Sequence, residues 1–194
     1  MTAIDFYFDF ASPYGFIAAM QIETIERPVR WHPFLLGAVY QAVGQSPLQH
    51  PLKRAYVIDV DAPRMARRLG LELQVPAGFP EHALPASRAF YWIDRQDPAM
   101  AVAFAQTAYR KYWLQGCPTS DAAVAVDAAA SIGYDRDAVR EGMQQAETKD
   151  RLVFENQEAI RRGVFGSPFF IRDGEPFWGS DRMTLVFDDP GQDA

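Results

Sequence analysis

Cysteine is nearly absent from this chain. Cys117 is the sole one in 194 residues, so no disulfide can close within it and a disulfide-stapled secreted framework is excluded. Histidine is scarce as well: His32, His50 and His82 are the complete set. None of them stands at metal-ligand spacing or in a recognisable Ser-His-Asp unit, and no metal is expected. Lysine is limited to Lys53, Lys111 and Lys149. With Lys+Arg at 19 and Asp+Glu at 25 the formal charge is -6, which argues against general gripping of nucleic acid. No apolar run is long enough to cross a bilayer, and the opening Met-Thr-Ala-Ile-Asp has no basic region ahead of an apolar stretch. Neither a nucleic acid nor a membrane is expected as a partner, and the cytoplasm is the expected compartment.

What the chain has in quantity is apolar material, 48% against 23% charged, enough to bury a core as one α/β unit. Ile4 to Phe10 is an aromatic-rich run broken only by Asp5 and Asp9, and reads as a buried strand. Ser12-Pro13 then opens a helix. Serine caps free amides, and proline suits the first helical position because no amide partner is needed there. The apolar face carries Phe16, Ile17, Met20 and Ile25 to about Glu26, and Val29 to Phe34 reads as a second strand, giving a βαβ start. One hydroxyl is thus delivered to the positive end of a helix, a geometry that holds an anion or thiolate as readily as it makes a plain cap.

Residues 37–51 read as irregular, with turns at Gly44-Gln45-Ser46-Pro47 and His50-Pro51. A helix is expected from Leu52 to Leu69, kinked at Pro63 and stopped by Gly70. Pro76, Gly78, Pro80 and Pro85 mark a loop. Residues 88–148 are alanine-rich and helical, with Met100, Phe104, Ala108 and Tyr112 on one stripe. A further helix spans Glu147 to Arg162, and strand character returns at Pro168-Phe169-Phe170-Ile171 and Pro176-Phe177-Trp178, joined by an Asp173-Gly174 turn. Gly179-Ser180-Asp181 offers one more helix start. Strand-rich ends around a helical middle imply a split domain: 1–38 and 149–194 as its two parts, 39–148 as a mainly helical insertion.

Four stretches together resemble the 2-hydroxychromene-2-carboxylate isomerase family, relatives of the kappa-class glutathione transferases and DsbA-type oxidoreductases. They are Phe8-Asp9-Phe10-Ala11-Ser12-Pro13-Tyr14, Pro51-Leu52-Lys53, Gly163-Val164-Phe165-Gly166-Ser167-Pro168-Phe169-Phe170 and Gly179-Ser180-Asp181-Arg182-Met183. The resemblance implies a thioredoxin-like fold interrupted by a helical insertion, and glutathione as cofactor. It implies that Ser12 contacts and activates the glutathione sulfur and that Lys53 lies near the glycyl carboxylate. Pro168 matches a cis-proline, with the backbone of Ser167 pairing with the cysteinyl unit, and Ser180 and Asp181 match a pair near the γ-glutamyl end. Gln45 is the expected loop contact, and Tyr7, Phe10 and Tyr14 are candidate aromatic walls, with core packing the equal alternative for Phe10. The implied substrate is a small aromatic carboxylate and the implied assembly a homodimer. Ser12-Pro13-Tyr14-Gly15 stands where relatives carry Cys-x-x-Cys, so two-sulfur exchange cannot run there. A kappa-type transferase or peroxidase, and a non-catalytic small-molecule binder, are the other readings these residues leave open.

Overall fold

An all-buried strand explains the architecture. In the computed structural model, which describes residues 3–42, 44 and 50–188, β1 (Ile4–Phe8) is buried at every position. Its side chains alternate between two cores. Ile4, Phe6 and Phe8 enter the larger one, while Tyr7 enters a smaller cluster with Phe34, Val39, Ala159, Val164, Phe169 and Ile171. Covering both faces of β1 takes helices on both sides, hence a layered α/β arrangement.

β1 pairs in parallel with β2 (Val29–Pro33) through the intervening α1 (Pro13–Ile22). On its other edge β1 runs antiparallel to β3 (Phe169–Arg172), which pairs with β4 (Glu175–Trp178). The sheet order is β2-β1-β3-β4. The β3–β4 turn is the expected one: Asp173 and Gly174 both take positive φ, 52° and 86°, as a tight hairpin requires. Ring stacking reinforces the larger core, with Phe6 between Phe8 and Phe170 at 4.8 and 5.1 Å and Trp31 edge-on at 5.0 Å.

Between the two halves of the sheet the chain is helical. Residues 37–42, expected to begin an irregular stretch, fall within α2 (Leu36–Ala42). The helix expected from Leu52 is α3 (Pro51–Ala55), a π-helical segment (Tyr56–Asp61) and α4 (Ala62–Arg68) in succession. Pro63 sits in the first turn of α4, directly after the π-helical segment, with the backbone helical on both sides of that junction. The next helix, α5 (Leu84–Asp94), begins earlier than residue 88 because Pro85 occupies its first turn. α6 (Pro98–Leu114), α7 (Ala122–Ser131), α8 (Arg136–Gly142) and α9 (Ala146–Arg161) follow, then a 3-10 turn (Ser180–Arg182) and α10 (Met183–Phe187) after the hairpin. No helix among the described residues is long and apolar enough to cross a membrane.

Candidate functional site

The site is built where β1 ends. Asp9 terminates the strand with an Asx turn, its Oδ1 accepting the Ala11 amide at 2.8 Å. Its carbonyl accepts the Ser12 amide at 2.9 Å. Ser12 is then the N-cap of α1: its Oγ accepts the Gly15 amide at 3.1 Å, and Pro13 fills the first turn. The same Oγ donates to the carbonyl of Ser167 at 2.9 Å. Ser167-Pro168 is a cis peptide bond, and the Ser12–Ser167 hydrogen bond sets the hydroxyl and the helix terminus against this turn. Phe79-Pro80 is a second cis bond.

Gly15 shows how closely these parts approach. A Cβ there would stand 2.6 Å from the Tyr109 hydroxyl, 2.9 Å from Ser167 Oγ and 3.2 Å from the Asp9 carbonyl. The position that would hold a second thiol is thus filled by Tyr109 and Ser167. Tyr109 donates to the Asp9 carbonyl at 3.0 Å and Trp113 to the Phe10 carbonyl at 3.0 Å, so α6 braces the loop from below. Ser12 is buried, 7% exposed.

The C-terminal turn closes one side. The Gly179 amide donates to the Pro168 carbonyl at 3.1 Å, with φ 109° at Gly179 and an Asp181 carboxylate oxygen in the space a Cβ would need. Ser180 is buried. Asp181 is exposed, pairs with Arg182 at 2.6 Å, and its charge bears on the Tyr14 phenol. On the other side Tyr14 donates to Asp61 at 2.6 Å, and Tyr56 reaches the same carboxylate at 3.3 Å. Burial, then this hydrogen bond, pushes the Tyr14 phenol well up, so it stays protonated.

The expected residues divide accordingly. Ser12, Ser167 and Pro168 meet directly, and Ser180 and Asp181 follow from Pro168 through Gly179. Lys53 is exposed on α3, and no hydrogen bond or ion pair among the described residues joins it to them. Gln45 lies outside the described residues. Tyr7 is no wall of this site: it faces the smaller core, where Arg162 donates to its hydroxyl at 2.7 Å. Phe10 is fully buried core. No group of His, Cys, Asp or Glu placed to hold a metal occurs among the described residues. Two surface clefts, of about 530 Å³ along residues 63–73 and about 350 Å³ between α5 and α9, are not lined by Ser12.

Asp9, Asp61 and Tyr109 are members of this constellation to which the sequence reading gives no role in the site. Asp9 does carry a signal, an acid inside an aromatic strand. Tyr109 and Asp61 carry none, because their partners lie 100 and 47 residues away.

Ser12 holds its hydroxyl at the positive end of a ten-residue helix, an arrangement whose chemistry suits an anion such as a thiolate. Comparison with known proteins bears on the fold and the family. The family model of the DSBA-like thioredoxin domain matches residues 3–188. The 2-hydroxychromene-2-carboxylate isomerase of Pseudomonas putida is 26% identical over 189 residues, covering 94% of this chain and 91% of its own. Glutathione S-transferase kappa 1 of Caenorhabditis elegans is 25% identical over 201 residues, covering 95% and 89%. A solved 2-hydroxychromene-2-carboxylate isomerase superposes with a TM-score of 0.86 at 26% identity, covering 95% of this chain and 92% of that one. The chain belongs to the DsbA-like thioredoxin-domain family.

Proposed function

We propose that this protein is a glutathione-dependent isomerase interconverting 2-hydroxychromene-2-carboxylate and trans-o-hydroxybenzylidenepyruvate, or a close aromatic analogue. The observation that carries the reading is the Ser12 hydroxyl, held at the N-terminus of α1 opposite the Ser167 carbonyl, with Gly15 in place of a second thiol. The whole-chain similarity to isomerases supports it.

When bound, glutathione supplies a thiol whose anion adds reversibly to a conjugated substrate, permits bond rotation and is recovered unchanged. The chain does the rest. Ser12 turns its proton from the Ser167 carbonyl toward the ligand's sulfur, and that charge-assisted hydrogen bond, with the helix terminus, favours the thiolate. The freed Ser167 backbone meets the cysteinyl unit. Asp181 takes the ammonium of the γ-glutamyl end beside Ser180, and Lys53 takes the glycyl carboxylate. These contacts hold the sulfur in register with its acceptor.

The test follows 2-hydroxychromene-2-carboxylate by absorbance with and without glutathione, titrating free thiol before and after. Glutathione-dependent isomerisation with full thiol recovery is expected. A stable thioether product would move the assignment to a kappa-type transferase, and binding without turnover to a non-catalytic role. Ser12→Ala should lower turnover about 100-fold, the scale on which losing one donor to a reacting anion is felt, with glutathione binding little changed. Unchanged kinetic constants would remove Ser12 from the chemistry.

A further inference from the structure

The site contains a buried acid that the reaction as written does not use. Asp9 is 5% exposed, and every polar contact it makes joins a different part of the site. Its Oδ1 takes the Ala11 amide at 2.8 Å and its Oδ2 the Leu36 amide at 2.7 Å, at the start of α2. Its carbonyl takes the Ser12 amide and the Tyr109 hydroxyl, and its own amide donates to Ser167 Oγ at 2.9 Å. One residue therefore ties α2, α6, the cis-proline turn and the Ser12 cap together.

We propose that Asp9 is the positioning residue of the serine site: its carboxylate, by holding the Ala11 and Leu36 amides at once, sets where the Ser12 hydroxyl stands. The proposal rests on the reading of Ser12 as the group that meets the ligand's sulfur. An ionised carboxylate is acceptor-only and can serve both amides. A protonated one has a hydroxyl on one oxygen, a much weaker acceptor than a carboxylate oxygen for the N–H it faces. Protonation thus weakens either the Ala11 turn or the tie to α2.

The surroundings put this change within reach of ordinary conditions. Burial pushes the Asp9 carboxyl up to about 6, the two amide hydrogen bonds opposing only in part. The titratable groups facing it are His82 from the loop before α5, whose charge favours ionisation, and the phenols of Tyr40 on α2 and Tyr109 on α6. Both phenols are raised and remain neutral, and among the described residues no Arg or Lys hydrogen-bonds to Asp9. Activity should therefore fall as pH drops through about 6.

Two measurements decide it. In the free protein, amide NMR between about pH 4.5 and 8 should show Ala11 and Leu36 titrating together near pH 6. Gly15, whose amide is bonded to Ser12 Oγ, should follow with the same midpoint, reporting the hydroxyl itself. In Asp9→Asn the three titrations should vanish. Its kcat should drop about tenfold with the glutathione KM within about twofold, and the acid limb of the kcat profile should be lost. A Gly15 amide that does not move with Ala11 and Leu36, or a variant that retains the acid limb, overturns the proposal. Should the wild-type chain show no glutathione-dependent turnover, the isomerase reading fails, and the amide titration, which needs no substrate, still decides the role of Asp9.

Discussion

Asp5 and Asp9 stand at the two ends of one buried strand, 3% and 5% exposed, and their carboxyls are driven in opposite directions. Burial raises both. At Asp5 it is outweighed by hydrogen bonds from His32 at 3.1 Å, Arg30 at 2.6 Å and Arg162 at 2.8 Å, which hold the carboxyl well below the usual range. At Asp9 the side-chain oxygens meet only neutral amides, and burial wins. The same side chain on the same strand is locked as an anion where its partners carry charge, and left able to change where they do not.

The Asp5 end is an anchor. His32 continues the network to Glu155 at 3.3 Å, which Arg151 holds at 2.7 Å, and Arg162 also donates to Tyr7. β1, β2 and α9 are thereby pinned on the sheet face away from the larger core. Removing Asp5 leaves His32 and Arg162 facing an empty, largely desolvated position. Asp5→Ala should therefore cost about 3–5 kcal/mol in urea unfolding at pH 7, the range for breaking a buried pair from one side. A loss below about 1 kcal/mol would show that solvent already screens this end.

The opposite directions also predict opposite pH dependences. Asp5, depressed in the folded state, contributes stability that is present above its ordinary value of 3.8 and lost as pH falls toward its folded value. Asp9, raised from 3.8 to about 6, contributes stability that is complete below 3.8 and lost as pH rises through 6. At about 1.4 kcal/mol per tenfold change in proton affinity, ionising Asp9 costs the fold about 3 kcal/mol at pH 7. Stability relative to Asp5→Asn should shrink on acidification below about pH 4, and relative to Asp9→Asn should shrink on raising pH from about 4 to 7. Slopes of the same sign would erase the distinction.

Much of the architecture is legible in the amino-acid sequence, and the limits have physical reasons. The aromatic alternation of β1, the Ser12-Pro13 cap and the Asp173-Gly174 turn are local signals, and each occurs where expected. α2 escapes because it is seven residues long and buries only Val39, so no apolar stripe announces it. Pro85 reads as a loop marker because proline in a first turn and proline in a loop look alike without the flanking geometry. The π-helical segment leaves no mark in hydrophobic spacing. The charge network is illegible for a different reason. Asp5 lies in β1, His32 in β2, and Glu155 and Arg162 in and at the end of α9, three separate segments that only the strand pairing and the packing of α9 bring together. The serine half of the candidate site is legible as a motif, whereas its supports, Asp61 and Tyr109, come from the helical middle of the chain and obey no spacing rule.

Two tyrosines allow the finest test of the divide, because the same small deletion can be made at each end. Tyr7→Phe removes a hydroxyl that accepts from Arg162 at 2.7 Å, and Tyr109→Phe removes one that donates to the Asp9 carbonyl at 3.0 Å. Each keeps its buried ring, so each should cost about 0.5–1.5 kcal/mol in urea unfolding. Their consequences for the site should separate. With its hydroxyl in the anchor, Tyr7→Phe should leave turnover within about twofold of the parent, given that the lost contact lies beyond the sheet from Ser12. Tyr109→Phe frees the Asp9 carbonyl from one of its two donors and opens the space against Gly15. Turnover should then fall about fivefold, a loss of about 1 kcal/mol of transition-state stabilisation. Equal turnover in the two variants would mean that the loop around Ser12 does not depend on the Tyr109 hydroxyl, and the bracing by α6 would rest on Trp113 alone.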